Sequence, residues 1–383
     1  MNLTALVGPK LVLPDLILED HALMMENGCI LTSVPVSNIP PSTRREELGR
    51  GWLLPGFIDT QVNGGGDVLL NDQPNLEGIS RLLNAHRGYG TTAMLPTLIS
   101  DTPSVMRKTI AAVEAGLRAH LPGLLGVHLE GPHINAKKRG IHDASQLTAL
   151  TPEMVDMLAA PSAGVRMVTL APELCNVDQI KQLAARGVIV SAGHSNASYE
   201  ETQNALRAGV RGFTHLFNAM TQLGSREPGM VGAALASSAS WVGLIVDGVH
   251  VHPVSLQVAL AVIGPKRAML VTDAMPPVGG ARSSFALPGA EIAVVKGVCR
   301  GPNYTLAGSM LSMAQAFRNA IEMLGLSINA ASQMASGSPA AFLRLDGTTG
   351  RIAPGLRADL VQLDDKLRVV RTWVAGELHD RGE

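Results

Sequence analysis

VRMVTLAPELCNVDQIKQLAARGVIVSAGH (165–194) reads as a buried strand, an amphipathic helix and a second buried strand, and this thirty-residue stretch decides the fold class. Both apolar runs are short and rich in β-branched residues, as strands buried on both faces are. The pattern recurs outward in both directions. GFIDTQVN (56–63), TTAMLPTL (91–98) and LLGVHLEG (124–131) precede it; GFTHLFN (212–218), WVGLIVDGVH (241–250) and AMLVTDAM (268–275) follow. Most gaps between them have helical texture, as in PSVMRKTIAAVEAGLRAH and SYEETQNALRAG. Eight such strands alternating with helices predict a (β/α)8, TIM-like barrel over 54–346. An open doubly wound sheet is the alternative, but Gly64-Gly65-Gly66 lacks the GxGxxG spacing of its phosphate turn.

The two ends differ from the middle. ALMMENGCILTSV, with Asn27-Gly28 between apolar runs, is a hairpin signal, and LRVVRTWVAGEL near the C-terminus has the same texture. Residues 1–53 plus 347–383 are therefore expected to form one small β-sandwich module built from both termini.

Bulk properties narrow the partners. The chain has 383 residues, and Lys+Arg (31) nearly balance Asp+Glu (32), so no basic field is available for nucleic acid. No apolar run approaches a membrane span, and no signal peptide is evident. Cys29, Cys175 and Cys299 form no CxxC pair, which argues for a reducing, cytoplasmic setting and against a cysteine-bound metal.

Catalytic groups of such barrels sit at the C-terminal ends of the strands. Here those ends carry Gln61 and Asn63, Glu130, His194, His215, His250 and Asp273. One isolated buried histidine is most simply a satisfied core group; a ring of them with carboxylates is not, because buried ionisable groups need a partner or an ion. Glu130, His194 and His215 offer one carboxylate and two imidazoles, a donor set suited to one divalent metal per chain: Zn²⁺ first, with Fe²⁺, Mn²⁺ or Co²⁺ as alternatives. Asp273 is placed to take and return a proton. Gln61 and Asn63 share one face at the end of the first strand, and carboxamides suit the substrate or the attacking water better than a second transition metal. His128 reads as a core group and Lys137-Lys138-Arg139 as a solvated loop face. His142, in the loop after the third strand, is expected to overhang the metal. Arg226 by itself reads as a surface charge, and Asp247 as a turn residue counted with the substrate-binding candidates.

Taken together, PGFIDTQVNGGG, LPTLIS, GVHLEGPHI, VSAGHSNA, THLFNAM, REPGMVG, DGVHV, LVTDAM and LAGS resemble the single-metal branch of the N-acetylglucosamine-6-phosphate deacetylase family, in the amidohydrolase superfamily, over essentially the whole chain. The resemblance implies that Glu130, His194 and His215 hold the metal, that Asp273 is the general base and acid, and that His142 polarises the acetyl carbonyl. It further implies a sugar-phosphate site lined by Ile141, His142, Asn218, Ala219, Arg226, His250, Leu306, Ala307 and Gly308. Arg226 and His250 would reach the neighbouring site of a homodimer. The galactosamine epimer of the substrate, or a catalytically silent phosphosugar-binding protein, are the alternatives. One departure concerns His133, which stands where the branch has an aromatic.

Overall fold

The computed structural model describes residues 3–287 and 290–379. Eight parallel strands form one sheet in sequential order: Phe57–Val62, Thr91–Ile99, Gly126–Glu130, Val165–Leu170, Ile189–Ala192, Gly212–Phe213, Trp241–Leu244 and Ala268–Leu270. The eighth strand returns to the first beyond its regular part. Val62 and Ala274 form a parallel bridge, and Asp273 donates its N–H to the carbonyl of Gln61. The ring therefore closes at the end where the chemistry-bearing residues lie.

Local sequence explains the elements. In the stretch quoted first, Asn176 caps the helix Val177–Ala185 and exchanges hydrogen bonds with Gln179, a reciprocal capping box. Ile180 and Leu183 fall on one side of that helix and are fully buried against the sheet. Ser198 forms a second capping box, and Thr102 and Thr151 cap two further barrel helices through a side-chain oxygen alone.

Strands from both ends of the chain pair with one another. Leu360–Leu363 lies antiparallel to Trp52–Pro55, which in turn runs parallel to Lys10–Val12. A second sheet holds Thr4–Val7, His21–Glu26, Cys29–Pro35 and Arg44–Glu47. Leu6, Leu23, Leu53, Leu360 and Trp373 make a shared core drawn from both sheets. The expected hairpin forms at Asn27 (φ 49°) and Gly28 (φ 77°), the left-handed pair that a two-residue turn requires.

Two features differ from the sequence reading. The seventh strand stops at Leu244, so His250 lies in a loop six residues further on. The apolar run continues, but the Asp247 carboxylate accepts the backbone N–H groups of Val249 and His250 and curls the chain. In addition, Ser284–Leu287, Ala290–Val295 and Val298–Arg300 form an antiparallel sheet after the eighth strand, turning through Lys296-Gly297. No described helix is long and apolar enough to cross a membrane.

Candidate active site

Glu130 ends the third strand, and His194, His215 and Asp273 lie just past the fifth, sixth and eighth. The last three have left-handed backbone, with φ of 49°, 33° and 51°. Side-chain residues adopt this region only where surrounding structure enforces it. Here the turn aims each side chain inward over the mouth of the barrel.

The result is a tight convergence. Nε2 of His194 and Nε2 of His215 each lie 3.1 Å from Oε1 of Glu130, and only 2.9 Å from each other. All three residues are buried, and no other cluster of this kind exists among the described residues. Nδ1 of His194 faces the Lys138 carbonyl at 2.8 Å and donates to it, so the lone pair sits on Nε2 and points into the trio. Lone pairs and a carboxylate oxygen aimed at one point suit a bound cation. Burial alone would raise the Glu130 carboxyl, but the two imidazoles held against it outweigh that and keep it well below the usual carboxylate range.

Asp273 faces the trio. Burial first, then the negative charge of Glu130, push its carboxyl up to about 6. Asn63 donates to its Oδ1 at 2.5 Å, and Gln61 donates to Glu130 at 3.0 Å and to Asp273 at 3.3 Å. The Gln61 amide thus bridges the two carboxylates.

His142 stands over the trio, its ring 4.6 Å from that of His194. The Ser100 backbone N–H points at its Nδ1 from 3.2 Å, and the Ser100 hydroxyl lies 2.7 Å from the same atom. Nδ1 therefore accepts, and the neutral ring carries its proton on Nε2. Burial pulls this imidazole down to about 3, so it stays neutral. Gly131 (φ 81°) makes room for the contact: a Cβ there would collide with the Ser100 hydroxyl.

These groups border a cavity of about 280 Å³. Ile141, His142, Asn218, Ala219, His250, Leu306 and Gly308 line it as expected, together with Asn63, Glu130, His194, His215 and Asp273. Four candidates do not. Gln61 lies beneath, against the two carboxylates. Ala307 packs into the apolar cluster around Met275 and Cys299. Asp247 sits behind His250, whose Nδ1 is 2.6 Å from its carboxylate. Arg226 is exposed and outside the cavity. Among the described residues no Lys or Arg lines the cavity. A larger groove of about 530 Å³ near Arg87 and His379 contains none of these residues.

Sequence reasoning passed over Ile99, Ile245, Met275 and Thr305, which also line the cavity. It also passed over Ser100, and over Asp59, whose carboxylate accepts from the Thr272 hydroxyl at 2.5 Å and anchors the turn into Asp273. His133 points elsewhere, its Nδ1 bonded to the Thr148 carbonyl. His128 lies inside the barrel between Thr97 and Thr169. The basic run is not a free face: Lys138 bonds the Met220 carbonyl and Arg139 the His142 carbonyl.

Residues 52–379 match the model of the Amidohydrolase family. An N-acetylgalactosamine-6-phosphate deacetylase of Shewanella sp. (strain ANA-3) is 43% identical over 373 residues, covering 97% of this chain and 94% of that protein. The N-acetylglucosamine-6-phosphate deacetylase of Homo sapiens is 37% identical over 348 residues, covering 87% of this chain and 85% of that one. Among solved structures, N-acetylglucosamine-6-phosphate deacetylase from Pasteurella multocida superposes with a TM-score of 0.96 at 31% identity, covering 99% of this chain and all of that one (100%).

Proposed function

Because the chain belongs to the amidohydrolase family, we propose that it hydrolyses the acetamide of N-acetylglucosamine 6-phosphate, giving acetate and glucosamine 6-phosphate in amino-sugar catabolism. The observation that carries this reading is the carboxylate of Asp273, which faces the converged Glu130, His194 and His215. The 43% relative favours a second reading, the galactosamine epimer. Acetate release from both sugar phosphates by purified, metal-analysed protein tests the proposal. Turnover of neither overturns it, and a preference for the galacto compound assigns the epimer.

Glu130, His194 and His215 would hold one divalent ion, Zn²⁺ before Fe²⁺, Mn²⁺ or Co²⁺ on donor type. When bound, such an ion supplies Lewis acidity toward a water and a carbonyl oxygen. The chain's own groups do the rest. Asp273, oriented by Asn63 and Gln61, takes a proton from the water as its oxygen adds to the acetyl carbon. His142 presents Nε2–H to the acetyl oxygen, where negative charge develops. Asp273 then gives its proton to the nitrogen as the C–N bond breaks. A protein that only binds phosphosugars would have no use for a general base opposite the trio.

The phosphate needs a cation, and none of the described residues lining the cavity is a Lys or Arg. Arg226 is exposed, and the helix Pro253–Ile263, three residues past His250, exposes Val254, Val258 and Val262 as one apolar stripe. A homodimer in which Arg226 serves the neighbouring site answers both features, since such a stripe gains by being covered, whereas His250, expected to cross the interface with it, lines the cavity of its own chain. The three free cysteines fit a cytoplasmic setting.

A further inference from the structure

Glu173 follows the fourth strand, on the short turn Pro172–Leu174. Its carboxylate accepts three hydrogen bonds. Oε1 takes the Asn135 side-chain amide at 2.9 Å and the Asn196 backbone N–H at 2.6 Å, and Oε2 takes the Ser195 hydroxyl at 2.6 Å. The three donors come from two loops, and both loops touch His194.

On one side are Ser195 and Asn196, the residues that leave the left-handed turn at His194. The Ser195 hydroxyl also accepts the Ala197 N–H at 3.0 Å, so this exit is fixed at three successive residues. On the other side is Asn135. Its N–H donates to the His194 carbonyl at 2.8 Å, and its side-chain oxygen accepts the Lys137 N–H at 2.9 Å. That bond caps the single turn Ala136–Lys138, which carries the Lys138 carbonyl to Nδ1 of His194. The same carbonyl selects the ring tautomer that leaves Nε2 free.

We propose that Glu173 is a positioning residue for His194, tying the loop that orients the ring to the loop that carries its backbone. The inference rests on the reading of Glu130, His194 and His215 as metal ligands. A left-handed histidine relaxes toward ordinary backbone once its clamps are released, and its ring then leaves the trio. Groups that orient a ligand without touching the ion typically govern metal affinity by about 10- to 100-fold.

The test is chelator competition for Zn²⁺ on purified wild type, Glu173→Ala, Glu173→Gln and Asn135→Ala, with melting of each metal-free protein alongside. Glu173→Ala is expected to bind Zn²⁺ at least about tenfold more weakly. Glu173→Gln keeps an acceptor for Asn135 and Asn196 and is expected to recover most of the loss. A purely structural carboxylate would lower the metal-free melting temperature and leave Zn²⁺ affinity alone. Should Glu173→Ala not fold, Asn135→Ala carries the same test, with several-fold weaker binding expected. Affinity of the folded variants within threefold of wild type overturns the inference alone. A wild type with no tight Zn²⁺ site overturns the metal reading with it.

Discussion

The Ser100 hydroxyl sits 2.7 Å from Nδ1 of His142, and with the Ser100 N–H it leaves that ring a single protonation pattern. The donor is thus set before any substrate arrives. Replacing His142 by Ala removes a donor aimed at developing negative charge, which is typically worth about 10²–10³ in rate. We expect kcat to fall by about that factor with metal content unchanged. Steady-state kinetics beside elemental analysis checks this, and turnover within threefold of wild type would show that His142 is a bystander.

Asp273→Asn keeps the hydrogen-bonding shape of the group and removes its basicity. Proton transfer by a positioned carboxyl contributes roughly 10²–10⁴-fold, so kcat should drop by at least about 10² while the metal stays bound. A near-normal rate in metal-replete protein would assign the base elsewhere.

Arg226→Ala should lower kcat/KM for the phosphorylated sugar by about 2–3 kcal/mol, the worth of a charge-assisted bond, and spare free N-acetylglucosamine. Equal losses on both substrates would exclude a phosphate role. Mixing Arg226→Ala subunits with Asp273→Asn subunits should restore activity, because a mixed dimer then contains one complete site. If mixtures stay inactive, the arginine acts within its own chain.

Dialysed, active protein is expected to hold one divalent ion per chain, since the Gln61 amide bridges Glu130 and Asp273. Chelation should abolish turnover and Zn²⁺ should restore it. Two ions per chain, with activity following the second, would contradict the hydrogen bonding seen at Gln61.

His86 sets an expected pH dependence away from the site. It is fully buried with Nε2 donating to the Gly64 carbonyl, and burial pulls it from 6.5 to about 4. The unfolded chain therefore binds a proton between these values that the folded chain refuses. Stability from this group is complete above pH 6.5 and is lost as pH falls toward 4. At pH 5 the loss is about 2 kcal/mol, which His86→Gln should remove. Urea midpoints at pH 7.5 and 5 measure it, and identical pH slopes in variant and wild type would refute it.

The barrel was legible because each strand is a short apolar run and each delivers its rim residue at a fixed place: Glu130 ends GVHLE, and His194 ends VIVSAGH. The grouping of Glu130, His194 and His215 followed from that spacing. His250 was misplaced because apolar character outlasts the strand, whose end is decided by a side-chain carboxylate capturing backbone N–H groups. Glu173 meets Asn135 across 38 residues and Ser100 meets His142 across 42, contacts that leave no local period to read. The sheet over 284–300 carried a readable mark, the Lys296-Gly297 turn, which the search for barrel strands passed over.

His194, His215 and Asp273 all hold left-handed backbone, at about 1–3 kcal/mol each. A typical domain has only about 5–15 kcal/mol of net stability to set against that. Glycine would relieve the backbone at all three positions and destroy the site at each. A laboratory selection of this chain for heat resistance alone would therefore drift toward well-folded, inert barrels. Only a screen that demands turnover at every round would hold these three side chains in place.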